Sequence, residues 1–509
     1  MWQIFGVNGF LPSILSILSW ILYAGIVFIL LKLAPVAYFF LRKELLANLS
    51  VHIETQPLSL PPAGSSIVIF APHPDDDIIA CGGFIQQATK RGCRITVVFL
   101  SSGDGMGKID RLLHRGGKPE PEHFRKMALR RMGEAKTALH MIGLADSNII
   151  FLGFPDGCLQ RLWWNHWNKS DPYTSPYTDS ASVIYRDAYE PGAPYAGSAL
   201  VELVERILSE RSPQCIVYPH FYDLHGDHYA AKYFVKLAIA RARIEAVELT
   251  YLVHHETWPL PHGRFPKMRL HPPRSLSHCR TQWRSLDLTN EELVLKEKCL
   301  DAHETQLTMK IYRRYLMSFL RANEIFGICR DASFERILLD VNASAYPVAP
   351  FAFTLVENPF GVHLLSLLYP AATIGDVAIV VQDGFMTIMM QTHRSPQPRF
   401  RYVMHLVLLS GDREAGRMTV SVHHNRLTID NSYDGPTHTL QEGSSMSRAY
   451  NHYRVSMPIV AMPAFDRLLF NAVSHYGEAI VDRTSIRLAQ FSSDESEKNP
   501  GSRGSLSSN

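Results

Sequence analysis

Two short segments concentrate the side chains able to hold a metal or move a proton. The first, Ala71-Pro72-His73-Pro74-Asp75-Asp76-Asp77, follows directly on the apolar run Ser66 to Phe70 and is followed by Cys81-Gly82-Gly83. One imidazole and three carboxylates crowded at the end of a buried strand repel one another unless a cation neutralises them. Helix capping accounts for one or two of the aspartates, which favour the positive end of a helix dipole, but it has no use for His73. Carboxylates together with imidazole suit zinc and similar ions. The second segment, Tyr218-Pro219-His220-Phe221-Tyr222-Asp223-Leu224-His225-Gly226-Asp227-His228, again leaves the end of an apolar run. A His-x-x-His pair alone is a weak signal that packing or surface histidines also produce, and it gains meaning only from its context.

The elements around these segments supply that context. Runs with the composition of buried strands span Ser66 to Ala71, Arg94 to Ser101, Asn148 to Gly153, Gln214 to Pro219 and Glu248 to His254. Helices fit between them: Ala128, Met132, Ala135, Leu139 and Ile142 share one helical face, and Gly197 to Glu210 is a second amphipathic stretch. This alternation predicts a Rossmann-like α/β domain, a mostly parallel sheet with helices on both faces, and it puts ligands at the carboxyl ends of the strands. Both segments leave such ends, so His225 or His228 is expected beside His73 in space despite about 150 residues of separation.

On these residues the sequence resembles the zinc-dependent PIG-L-like (LmbE-like) de-N-acetylases. Their signature Ala-His-Pro-Asp-Asp-Glu appears as Pro72-His73-Pro74-Asp75-Asp76-Asp77, and their His-Pro-Asp-His as His225-Gly226-Asp227-His228. Ser102-Gly103-Asp104-Gly105, Arg131-x-x-Glu134, Ile142-Gly143 and Gly153-Phe154-Pro155-Asp156-Gly157 fall in the family's order. Lys298 and His303-Glu304-Thr305-Gln306 look like its closing helix, so the likeness covers roughly residues 64 to 310. The resemblance implies that His73, Asp76 and His228 hold Zn2+ and leave a fourth position for water. It makes Asp75 the general base and His225 the group that stabilises the oxyanion, with Asp227 orienting His225. Arg131 and Asp156 match positions that contact the sugar, with Arg130 a competing neighbour; an exposed helix charge and a turn aspartate are their ordinary alternatives. Asp77, where the family has Glu, is expected to cap the following helix. The implied activity is removal of the acetyl group from an N-acetylglucosamine-containing glycoconjugate, lipid-linked on this reading. A deacylase or amidase acting on another conjugate is the alternative among enzymes, and a non-catalytic glycolipid-binding protein the alternative outside them.

The rest of the 509 residues sets the surroundings. Leu11 to Leu31 is an uncharged apolar run long enough to span a hydrocarbon core of roughly 30 Å as a helix, with an extension to about residue 41. Residues 1 to 9 carry no positive side chain, which argues against a cleaved signal peptide, while Arg42 and Lys43 follow the run. The expectation is therefore a single-pass membrane protein with an anchor at 1–44 and its catalytic domain on the cytoplasmic side. A connector at 45–63 leads to the α/β domain at 64–334. Residues 335–490 read as a smaller β-rich domain, from short runs such as Asp376 to Asp383 and Arg417 to Asp430 between turns. The Ser-rich stretch 491–509 is too polar to pack. A net charge of +3, from 51 basic and 48 acidic residues, gives no electrostatic footprint for nucleic acid. Seven scattered cysteines without a C-x-x-C pair fit a reducing compartment. His254-His255 ends a strand near the expected site, but adjacent histidines point to opposite faces and pack structurally. His423-His424, in the β-rich stretch, has no acidic partner at ligand spacing and takes no role. Trp163, Trp164 and Trp167 suit a sugar-stacking wall, a membrane-interface wall or core packing.

Overall fold

A computed structural model of the chain describes residues 22–23, 53–106, 120–255, 258–277, 281–328, 354–356, 368–382, 384–431, 441–477, 479–484 and 486–490. The first sheet comprises β1 (Gln56–Pro57), β2 (Ser66–Ala71), β3 (Arg94–Ser101), β4 (Ile149–Phe154), β5 (Cys215–Pro219), β6 (Val247–Tyr251), β7 (Gln282–Asp287) and β8 (Asn323–Ile328). Their order across the sheet is β1-β7-β8-β6-β5-β2-β3-β4. Every residue of β2, β4 and β5 is buried, as expected of parallel strands covered on both faces. From β4 to β6 all neighbours are parallel, whereas β8 runs antiparallel to both β6 and β7. The sheet is thus mixed, with a parallel heart.

Helices α1 (Asp76–Lys90), α2 (Pro121–Met141), α3 (Leu159–Trp164), α4 (Gly197–Arg211), α5 (Gly226–Ala242), α6 (Asn290–Asp301), α7 (Glu304–Leu307) and α8 (Lys310–Leu316) connect and cover it. They sort into two layers: α1 and α2 pack on α6, while α3 and α4 pack on α5. From β2 the chain builds towards β4 at one edge, then returns to lay β5 on the other side of β2. The strand order reverses between β2 and β5, which opens a crevice at their carboxyl ends. Both histidine-bearing segments leave the sheet there.

Buried charge ties the two ends of this unit together. Lys296 on α6 and Glu324 on β8, almost wholly buried, approach to 2.6 Å, and the Glu324 carboxylate also accepts from the amides of Gly83 (2.7 Å) and Phe84 (2.8 Å) on α1. Breaking such a pair leaves an uncompensated buried charge. Glu324→Gln is therefore expected to cost about 3–5 kcal/mol in denaturant unfolding. A change below about 0.5 kcal/mol, the scale of an ordinary surface substitution, would remove the pair from the fold's supports.

The C-terminal strands are β9 (Thr354–Val356), β10 (Ile374–Gln382), β11 (Phe385–Thr392), β12 (Arg401–Ser410), β13 (Arg413–His423), β14 (Arg426–Asn431), β15 (Ser445–Ala449), β16 (His452–Pro458), β17 (Arg467–Tyr476), β18 (Ala479–Arg483) and β19 (Arg487–Gln490). They form two antiparallel sheets, β15-β16-β11-β10-β9 and β14-β13-β12-β17-β18 with β19 on β17, which share one core as a β-sandwich. Alternation along β12 explains how the sandwich attaches. Tyr402, Met404, Leu406 and Leu408 point into the sandwich core, while Val407 and Leu409 join Leu469 and Ile486 in the core of the α/β unit. The helix that receives them, α5, is buried at every residue from Asp227 to Ala240, between sheet and sandwich.

One expectation is corrected. Among the described residues no helix is long and apolar enough to cross a membrane. The longest, α2, has 21 residues, but Glu122, Arg125, Lys126, Arg130, Arg131, Glu134 and Lys136 lie along it, and desolvating them in lipid is prohibitive. The transmembrane helix, and with it the single-pass localisation with a cytoplasmic catalytic domain, is not upheld. Of the run from Leu11 to Leu31 only Leu22 and Tyr23 lie within the described residues. The expected boundary near 335 and the stretch 491–509 lie outside them as well.

Candidate active site

The crevice brings together donors from four loops. Three overlapping sets, His73/His225/His228, Asp76/His228/His254 and His73/Asp156/Asp227, have ligand atoms within 4.8 Å of one another. A tighter triangle lies among them. His73 Nδ1 is 3.2 Å from Asp76 Oδ2, His228 Nε2 is 3.0 Å from the same oxygen, and the two ring nitrogens are 3.3 Å apart. Donors bound at about 2.0–2.1 Å around a tetrahedral zinc ion lie about 3.3–3.4 Å from each other. Two imidazole nitrogens and one carboxylate oxygen at this spacing therefore fit one face of a zinc tetrahedron, with the apex left for water.

Electrostatics point the same way. Burial disfavours charge on both imidazoles, yet Asp156 raises His73 well above the ordinary range, and Asp223 with Asp76 push His228 up to about 10. Burial alone would raise Asp76 and Asp223 too, but His228 holds both carboxyls low. The surrounding carboxylates demand positive charge at the triangle, which is what a divalent cation supplies.

The local folding of each loop explains the placement. Asp75 occupies the N-cap position of α1 and sits beside Asp76, the ligand candidate in the first turn. Its Oδ2 accepts from Arg131 Nη2 at 3.1 Å, and Arg131 Nη1 donates to the Gly103 carbonyl at 3.1 Å. Gly103, at φ +67, is required there because the Arg131 guanidinium fills the space a Cβ would take. Burial raises the Asp75 carboxyl and Arg131 opposes it, the environment of a tuned base. Arg131, expected to meet a sugar, is 3% exposed and engaged with Asp75, while its neighbour Arg130 faces outward to Glu304. Glu134, one turn further along α2, accepts from Thr305 N at 3.0 Å and Thr305 Oγ1 at 2.6 Å. The Arg131-x-x-Glu134 and His303 to Gln306 motifs thus lock together. Asp77 lies inside the first turn of α1 rather than at its cap; burial and the Asp75 charge push its carboxyl well up.

His225 is the N-cap of α5, and its Nδ1 accepts from the Asp227 amide at 3.3 Å. Burial, with His73 and His228 adding, pulls its pKa down to about 4. A neutral ring with Nδ1 as acceptor carries its proton on Nε2. The Asp227 carboxylate accepts from Gly157 N (2.6 Å) and Leu159 N (3.0 Å) and approaches His73 Nε2 at 3.2 Å. Asp156 Oδ1 lies 3.2 Å from the same nitrogen, and its side chain, 18% exposed, is open to the mouth of the crevice. The Asp156 amide donates to Asp104 Oδ1 at 2.7 Å.

Two residues of the site carried no assigned role in the sequence. Asp223 Oδ2 lies 3.2 Å from His228 Nδ1 and accepts from the amides of Val253 and His254. A carboxylate behind a metal-binding imidazole was a signal to look for two to five residues from the pair. His254, read as structural, packs against His228 (4.7 Å between centroids) and His225 (5.1 Å) and stacks on Tyr315, whereas His255 turns away to Tyr222 and Ser275. Trp163 and Trp164 pack on Tyr233, Trp164 on His405, and Arg417 covers Trp163 and Trp167, so these rings join the sandwich to the α/β unit.

The family described as GlcNAc-PI de-N-acetylase, PIG-L, matches residues 68–239, a span holding His73, Asp75, Asp76, Arg131, Asp156, His225, Asp227 and His228. Residues 68–239 form a PIG-L domain. Solved structures similar to the chain include the conserved protein TT1542 from Thermus thermophilus, with 20% identity, a TM-score of 0.31 and coverage of 52% of this chain and 94% of that one. The N,N'-diacetylchitobiose deacetylase from Pyrococcus horikoshii gives 15%, 0.31, 52% and 83%. The A40926 pseudoaglycone deacetylase Dbv21 gives 18%, 0.33, 52% and 97%. No curated protein matches the sequence. If His228 is a metal ligand, Asp223→Ala, which removes the carboxylate 3.2 Å from its Nδ1, is expected to weaken affinity for added zinc about 10–100-fold. Competition against a chelator measures this, and wild-type affinity in the variant would leave Asp223 with a folding role alone.

Proposed function

We propose that the chain is a zinc-dependent de-N-acetylase acting on an N-acetylglucosamine-containing glycoconjugate. The reading is carried by the triangle of His73 Nδ1, Asp76 Oδ2 and His228 Nε2, with sides of 3.0–3.3 Å, next to a buried carboxylate outside it. Zinc held by these three residues would polarise an amide carbonyl and lower the pKa of its water towards about 7. Asp75, kept in place by Arg131, takes the proton of the attacking water as the new C–O bond forms. His225 presents its Nε2 proton to the carbonyl oxygen as negative charge develops there. Asp75 then returns the proton to the amide nitrogen, the C–N bond breaks, and acetate and a free amine leave. Asp227 and Asp156 hold the His73 ring from its far side, and Asp223 does the same for His228. Asp156, whose side chain is 18% exposed, is placed to accept from a sugar hydroxyl.

The test is acetate release by the zinc-loaded full chain from a panel of soluble N-acetylglucosamine glycosides. Acetate and primary amine should appear in equal amounts. Absence of both with every N-acetylated sugar would overturn the reading.

A further inference from the structure

The β-sandwich reaches the loop that carries His225 and His228. The backbone of Leu224, immediately before His225, is held at both of its polar groups: its N–H donates to the His254 carbonyl at 2.6 Å, and its C=O accepts from Arg483 Nη2 at 3.0 Å. Arg483 ends β18, and its guanidinium also lies 3.8 Å from the ring centroid of Tyr229, in the first turn of α5. The Tyr229 hydroxyl donates to the carbonyl of the next sandwich residue, Thr484, at 2.9 Å. Arg487 lies over the Phe221 ring at 4.8 Å. Arg483, Thr484 and Arg487 of the sandwich therefore grip the loop from Phe221 to Tyr229 near both ends, and His225 and His228 sit between the grips.

We infer that Arg483 is a positioning residue for His225, so that the sandwich sets the aim of the oxyanion donor. The inference rests on the role given to His225 above. A backbone carbonyl next to an N-cap controls where that cap residue's side chain points, and a misplacement of about 1 Å can cost a hundredfold in rate. Packing alone does not account for the arrangement, because the fixed atom is the one peptide oxygen adjoining His225. The zinc triangle is spared: His228 is anchored separately by Asp223 and Asp76.

The experiment is a double-mutant cycle in the full zinc-loaded chain with Arg483→Ala, His225→Ala and the pair, together with amide hydrogen exchange over residues 221–228. Arg483→Ala should lower kcat about tenfold or more. KM and zinc content should stay within about twofold, and exchange at 221–228 should rise about tenfold. In the His225→Ala background the same change should alter kcat less than about twofold, since an effect that acts through His225 is lost with it. Arg483→Lys, which keeps one donor, should recover part of the rate, and it carries the same cycle should the alanine variant not fold. Equal losses in both backgrounds, or unchanged exchange, would overturn the inference. Should the wild-type chain release no acetate from any sugar, the proposed function fails separately, and the exchange measurement alone decides whether Arg483 holds the loop.

Discussion

Asp75→Asn should leave the protein's zinc content at the wild-type level and lower kcat about a hundredfold or more. Asp75 is not a member of the donor triangle, so the metal has no reason to leave. The amide keeps an oxygen that can accept the Arg131 hydrogen bond, but it cannot take a proton from water near neutral pH. Arg131 is 3% exposed and would lose its only ion-pair partner among the described residues, so a lowered unfolding midpoint is expected alongside the lost turnover. The two effects separate cleanly in a single preparation, because zinc content and unfolding report the fold while kcat reports the base. Turnover at the wild-type rate would remove Asp75 from the mechanism.

His228→Ala should strip the metal and abolish activity together. The substitution removes one corner of the triangle and leaves two buried carboxylates, Asp76 and Asp223, facing each other across the space the ring had filled. Like charges so placed cannot both stay ionised without a cation, so the site loses both a ligand and the electrostatics that tuned the other two. Zinc recovered after gel filtration should fall to about a tenth of wild type or less, from about one per chain. His254→Ala is the informative companion, since its ring abuts both His225 and His228 yet lies outside the triangle. Full zinc in His228→Ala would rule out the triangle; loss of zinc in His254→Ala with retention in His73→Ala would place the metal on Asp76/His228/His254 instead.

Much of this site was legible in the sequence because the chemistry-bearing residues follow strands that bury every residue. Ser66 to Ala71 and Cys215 to Pro219 are uninterrupted apolar runs, and their ends are the switch point of the sheet. What was not legible depends on geometry no spacing encodes. That the Asp227 carboxylate reaches His73, while its amide holds the His225 ring, follows from two amides, Gly157 and Leu159, that fix the carboxylate. That Arg131 serves Asp75 follows from the close approach at Gly103. β7 has mixed burial and a polar composition, so it carries neither the alternation nor the apolar run of a recognisable strand. The seating of the sandwich had an unread signal: Asp227 to Ala240 is apolar on nearly every face, the mark of a helix covered on all sides.

The most direct test of the account follows zinc and catalysis in one titration. Metal-free wild-type protein, titrated with zinc, should release acetate from a soluble N-acetylglucosamine glycoside in proportion to bound metal, with a plateau at about one zinc per chain. Full acetate release by protein that carries no metal would contradict it.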